Sequence, residues 1–156
     1  MLFLMCKPKY HRVDCPINPW MEKAPPIDPA NAMQQWRKLY EIVANLAPAR
    51  LVDPQPGIPD MYFASDCGIA LGNVFLESNF KEKIRHRERK YYAAWFRRQG
   101  YTVVSLPEDA TFKGMGDLIL WHDRQAVFCW GSALHPKPCR VFRRFYRTWV
   151  LSPNWR

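Results

Sequence analysis

The sequence predicts an α/β fold assembled from repeated modules of roughly fifty residues. Three observations carry this reading. Apolar runs of strand length recur, starting with residues 2–6. Two segments, opened by Asp28-Pro29 and closed by Gly100, place apolar and aromatic residues at helical spacing. The order helix, strand, Pro-rich turn, hairpin occurs over residues 29–76 and again over 86–130.

The elements follow in order. Residues 2–6 are a short continuous apolar run stopped by Lys7-Pro8, as a buried strand requires. Five prolines within residues 14–29 make that stretch irregular rather than helical. Asp28 can cap a helix, and Pro29 suits its first position. Met33, Trp36, Leu39, Tyr40, Val43 and Leu46 then form an apolar stripe, which Pro48 ends. Residues 50–52 read as a brief strand and 53–57 as a turn-rich connector. Residues 61–63 and 69–71 are short apolar runs, and Gly72-Asn73 is a hairpin turn into residues 74–76. A basic stretch, 81–90, leads into a helix carrying Tyr91, Tyr92, Trp95 and Phe96, with Gly100 where a C-cap favours it. Residues 101–106 form a strand and Pro107-Glu108-Asp109 a turn. Residues 118–121 and 126–130 make a second hairpin around His122-Asp123-Arg124. Repeated modules bury their faces on neighbours, so a two-module array leaves one side uncovered.

With 156 residues, 48% hydrophobic and 24% charged, the chain suits one domain with a packed core. The net charge of +9 is uneven. Residues 131–156 hold six basic residues and no acid, so the first 130 carry only +3. Nucleic acid is therefore an unlikely partner for the body of the chain. Val141-Phe142-Arg143-Arg144-Phe145-Tyr146-Arg147 interleaves arginine and aromatics, and it carries the competing reading of a basic module for nucleic acid or an anionic surface. The five cysteines are widely spaced with no CxxC, so neither zinc nor a redox pair is signalled, and a reduced cytoplasmic setting fits. The apolar start is too short for a signal peptide or a membrane span. No metal or cofactor is expected.

Asp60 and Asp66 stand six positions apart in the otherwise apolar run 57–66. Burying an unpaired carboxylate costs several kcal/mol, on the order of 1–3 or more. The pair therefore suggests a bound cation, and a planar guanidinium matches carboxylates best. Surface turn residues are the alternative, since Asp60 follows Pro59.

Cys6-Lys7-Pro8, Ile17-Asn18-Pro19-Trp20-Met21, Pro59-Asp60-Met61-Tyr62-Phe63, Tyr92-Ala93-Ala94-Trp95 and Gly116-Asp117 occur in an order and spacing that resemble the guanidino-group-modifying superfamily. That superfamily contains arginine deiminase, dimethylarginine dimethylaminohydrolase and the amidinotransferases. The resemblance covers about residues 1–130 and corresponds to the amino-terminal half. It implies a five-module α/β propeller, of which this chain holds two to three modules. It also implies a cysteine nucleophile, a histidine acid–base, an assisting acid and carboxylates that hold the guanidinium of an arginine-like small molecule. By this resemblance Asp60, Phe63 and Asp66 contact substrate, and Arg85 faces a substrate carboxylate. Residue chemistry alone reads the run around Arg85 as a solvated basic helix start.

The departures from the family pattern point to a truncated, inactive member with no catalytic residues of its own. Ser65 stands where dimethylargininases place an acid, and Lys113 stands at the assisting-acid position. The family's histidine and cysteine belong to later modules. His122, His135, Cys129 and Cys139 lack a matching context. Residues 131–156 read as a non-family tail from a frame shift. A homo-oligomer, or a half-propeller completed by another chain, is the remaining alternative.

Overall fold

The structure, a computed structural model, describes residues 2–13, 16, 19–121, 125–129 and 147–151. The chain divides into two compact units, Met1–Ala64 and Ser65–Arg156.

In the first unit, β1 (Phe3–Cys6) pairs in parallel with β2 (Ala49–Val52), Phe3 opposite Ala49 and Cys6 opposite Val52. They are joined through α1 (Pro19–Glu22) and α2 (Pro29–Leu46). α1 is one helical turn inside the Pro-rich stretch that the sequence reads as irregular throughout. Pro19 stands at its start, where a missing N–H breaks no helical bond. α2 begins as expected: the Asp28 carboxylate accepts from the N–H groups of Ala30 and Asn31 at 2.9 and 3.3 Å. Its packing differs from the expectation. No α2 residue is buried. Met33, Trp36, Tyr40 and Val43 are half-covered, while Leu39, Ile42 and Leu46 are exposed. A two-stranded ribbon is too narrow to cover both apolar rows of a helix. The core of this unit is Cys6, Val52, Ile58 and Met61, all under 5% exposed. Residues 61–63 form part of a turn instead of an extended run.

The second unit holds two sheets of one design. β3 (Gly68–Leu71) and β4 (Val74–Glu77) make the Gly72-Asn73 hairpin, and β5 (Thr102–Val104) returns parallel to β4 after α3 (Glu88–Arg98). β6 (Leu118–Trp121) and β7 (Gln125–Cys129) are antiparallel, and β8 (Arg147–Leu151) lies parallel to β7. The sequence reading places β8 within the non-family tail and assigns it no structure. Ile69, Leu76, Leu106, Ala110, Phe112 and Leu118 form the core cluster. The Phe75 and Phe96 rings stack with centroids 3.6 Å apart and seat α3 on its sheet. His122-Asp123-Arg124, Trp130, His135, Cys139 and residues 131–146 and 152–156 lie outside the described residues, as do Cys15 and Ile17-Asn18.

Candidate functional site

A buried ionic cluster in the second unit converges on Asp66. This residue lies in the short 3-10 turn Ala64–Cys67 that feeds β3. The turn is held from several sides. The Ser78 hydroxyl donates to the Asp66 carbonyl, and the Ser78 N–H donates to the Cys67 carbonyl at 3.0 Å. Gly114 packs backbone against backbone here: a Cβ would lie 2.7 Å from the Ser65 carbonyl oxygen and 2.8 Å from the Gly68 nitrogen, and its φ of +52° favours glycine.

Arg85 closes the 3-10 turn Lys83–Arg85, and Glu88 opens α3 one turn later. Arg85 is 2% exposed and Glu88 1%. Nε and Nη2 of Arg85 donate to the two Glu88 carboxylate oxygens at 2.7 and 3.0 Å, and Nη1 donates to Asp66 Oδ2 at 2.7 Å. The Phe80 ring lies 4.2 Å from the guanidinium carbon, at cation–π distance. Burial alone would lower the Arg85 pKa, but the bonds and charges of Glu88 and Asp66 outweigh it and hold the cation. The Lys113 ammonium approaches the same Asp66 Oδ2 at 3.4 Å. Two cations therefore face two carboxylates. The Lys113 backbone N–H donates to Asp117 Oδ2 at 2.7 Å. Burial raises the Asp117 pKa, and the Lys113 bond and charge oppose that rise. Burial likewise pushes the Cys67 thiol up, with Glu88 and Asp66 adding to the effect, so it is an inert buried thiol.

A second polar layer supports the first. Arg89 donates to Glu77 Oε1 at 2.7 Å and to Asn79 Oδ1 at 3.0 Å, and the Ser105 hydroxyl joins Glu77 at 2.6 Å. Asn79 Nδ2 donates to the carbonyls of Pro107, Glu108 and Ala110, and the Asn79 and Phe112 backbones bond reciprocally. These bonds fix the 107–112 loop and so aim Lys113.

The first unit carries the other two expected site residues. Asp60 is buried, and its carbonyl accepts from the Phe63 N–H at 3.0 Å. Phe63 is 40% exposed, with its ring 4.0 Å from that of Tyr62. Tyr62 in turn meets His11, hydroxyl to Nε2, at 3.3 Å. Burial lowers the His11 pKa against the raising effects of Asp60 and the Pro59 backbone. His11, Tyr62, Trp36, Asn31 and Gln35 help to line a cavity of about 500 Å³. The described residues hold no group of three His, Cys, Asp or Glu suited to a metal ion, and none of their helices is long and apolar enough to cross a membrane.

Asp66 and Arg85 thus meet directly, although the basic run 81–90 reads as solvated. The sequence reading missed Glu88. Its signal was the Arg85–Glu88 spacing of three, which puts both on one helical face. It also missed His11, which no local pattern distinguishes.

No family model matches the chain. The bifunctional arginine dihydrolase/ornithine cyclodeaminase AgrE of Nostoc sp. is 42% identical over 131 residues, which is 83% of this chain and 18% of that protein. ArgZ of Synechocystis sp., described in the same words, is 40% identical over 130 residues, again 83% of this chain and 18% of its own length. The crystal structure of the N-terminal domain of ArgZ bound to product superposes with a TM-score of 0.89 at 34% identity, covering 97% of this chain and 57% of that one. The chain belongs to the guanidino-group-modifying superfamily. It corresponds to the amino-terminal half of the superfamily domain and spans 18% of the length of those two bifunctional proteins. A dimethylarginine dimethylaminohydrolase structure shares the superfamily fold, with a TM-score of 0.81 at 14% identity.

Proposed function

We propose that the chain is the amino-terminal portion of an α/β propeller that holds the guanidinium of an arginine-like small molecule, and that residues 1–156 alone turn nothing over. Asp66 carries the reading. It is a buried carboxylate on a turn braced by Gly114 and Ser78, in the position where the superfamily holds substrate. Asp60 and Phe63 are the further proposed substrate contacts; Arg85, 2% exposed and bonded to Glu88 and Asp66, braces the Asp66 carboxylate instead of facing a substrate carboxylate. Related arginine dihydrolase structures include complexes with L-arginine, which supports the substrate class. Inactivity rests on two features. The nucleophilic cysteine and the histidine belong to later modules of the superfamily. Lys113, at the assisting-acid position, already sets an ammonium 3.4 Å from Asp66 Oδ2. A guanidinium entering there meets a like charge and must displace it.

Two measurements test this. Purified chain incubated with arginine or methylated arginines should yield no citrulline above blank, and any turnover overturns the inactive reading. Titration of arginine into the Lys113→Glu variant should give binding at least tenfold tighter than to the parent chain, and adding Asp66→Asn should abolish the gain. Equal affinity in parent and Lys113→Glu would refute the proposed role of Lys113.

A further inference from the structure

His11 lies in the loop after β1, yet it meets the turn that carries Asp60 and Phe63, 51 residues later in the chain at Tyr62. Its Nε2 is 3.3 Å from the Tyr62 hydroxyl. Its ring centroid is 4.3 Å from that of Tyr62 and 6.4 Å from that of Phe63, which it meets edge-on at 78°. The Tyr62 and Phe63 rings are themselves 4.0 Å apart. The Asp60 carboxylate acts on the same imidazole through its charge. One half-buried ring is therefore linked to both substrate contacts proposed for the first unit.

Residues 59–62 are a turn outside both strands of this unit, so no sheet ladder fixes the side chains they carry. Ile58 and Met61, 2% and 1% exposed, anchor its backbone in the core. The exposed Phe63 ring draws its orientation from its contacts with Tyr62 and His11. Tyr62 serves either charge state of His11: it can give its proton to a neutral Nε2 or accept one from a protonated ring. Protonation thus changes the charge beside Asp60 more than the bond to Tyr62. Across the cavity stands Asp28, whose carboxylate caps α2, with neutral Asn31, Gln35 and Trp36. On its own segment Lys9 lies 5.2 Å from the Tyr10 ring, and Arg12 is exposed. Among the described residues, Asp60 is the acid whose charge reaches the ring.

We propose that His11 is a positioning residue for guanidinium binding: its neutral ring sets the turn that presents Asp60 and Phe63, and its protonated ring is a cation that competes with the incoming guanidinium for Asp60. This role rests on the guanidinium reading above. Protonation and binding then oppose each other, each weakening the other by the same factor. Burial lowers the His11 pKa, so the ring is neutral above its ordinary value of about 6.5. The competing cation forms only as pH falls toward the folded value.

Two measurements test this. The first follows the His11, Tyr62 and Phe63 ring signals by NMR across a pH titration of the chain, with His11→Gln assigning the imidazole. The Phe63 signals should shift with the His11 midpoint, and Asp60→Asn should move that midpoint down. The second measures arginine affinity of the chain and of its Lys113→Glu variant, one pH unit above and one below the midpoint. Affinity should be roughly threefold or more weaker on the acid side, and saturating arginine should lower the His11 midpoint. His11→Phe keeps a ring but carries no proton, so its affinity should lose that pH dependence, whereas His11→Ala should weaken binding even above the midpoint. Phe63 signals that ignore the His11 titration overturn the positioning role. An equal pH dependence in His11→Phe and the parent overturns the competition. Failure of arginine to bind at any pH, in Lys113→Glu as well, sinks the guanidinium reading and the competition with it, and the ring signals alone then decide whether His11 sets the turn.

Discussion

Removing the Arg85 guanidinium should be the most damaging single change in the second unit. Arg85→Ala deletes three charge-assisted bonds, two to Glu88 and one to Asp66. It leaves Glu88, whose side chain is 1% exposed, as an uncompensated buried carboxylate, whereas Asp66 keeps Lys113 at 3.4 Å. Breaking one partner of a buried pair typically costs about 3–5 kcal/mol. The truncation also removes the cation from the Phe80 face and opens a cavity, which places the result in the upper part of that range. For a chain of this size each kcal/mol moves the melting temperature by roughly 2–4 °C, so a fall of about 10–20 °C is expected. The assay is thermal unfolding at neutral pH, followed by far-UV circular dichroism. Arg85→Met combined with Glu88→Leu removes both charges, and it should recover most of the loss because replacing a whole buried pair by apolar residues is often neutral. A fall below about 3 °C in Arg85→Ala would refute the cost assigned to the orphaned Glu88. No recovery in the double variant would show that packing, not charge, dominates.

Gly114→Ala should destabilise by about 2 kcal/mol or more in urea unfolding, since the new methyl meets backbone on two sides at a positive φ; a change under about 0.5 kcal/mol would contradict that close approach. His11 should make stability pH-dependent. Its folded pKa is lowered by burial. The unfolded chain therefore takes up a proton first, near the ordinary value of about 6.5. The stabilisation from the neutral ring is complete above that pH and is lost as pH falls toward the folded value. Urea midpoints measured from pH 7.5 down to 5 should fall more steeply for the parent chain than for His11→Gln, and parallel slopes would count against it.

What sequence pattern could reach was local. Asp28-Pro29, the Gly72-Asn73 turn, the two hairpins and the module order each depend on neighbours in the chain, so capping, turn chemistry and periodicity are enough to read them. Superfamily membership was legible for a related reason: several short motifs in sequence order are together far more specific than any one alone. The run 81–90 was misread because clustered basic residues pattern like a solvated face, and only distant carboxylates reveal otherwise. β8 was missed because its sheet partner, β7, lies some twenty residues earlier in the chain. The tertiary structure alone decided that Arg85 spends its donors on Glu88 and Asp66, that Lys113 reaches the same carboxylate, and that β1 takes β2 as its parallel neighbour. Ion pairs and sheet edges are set by which segments meet across long loops, and residue spacing along the chain carries no record of that.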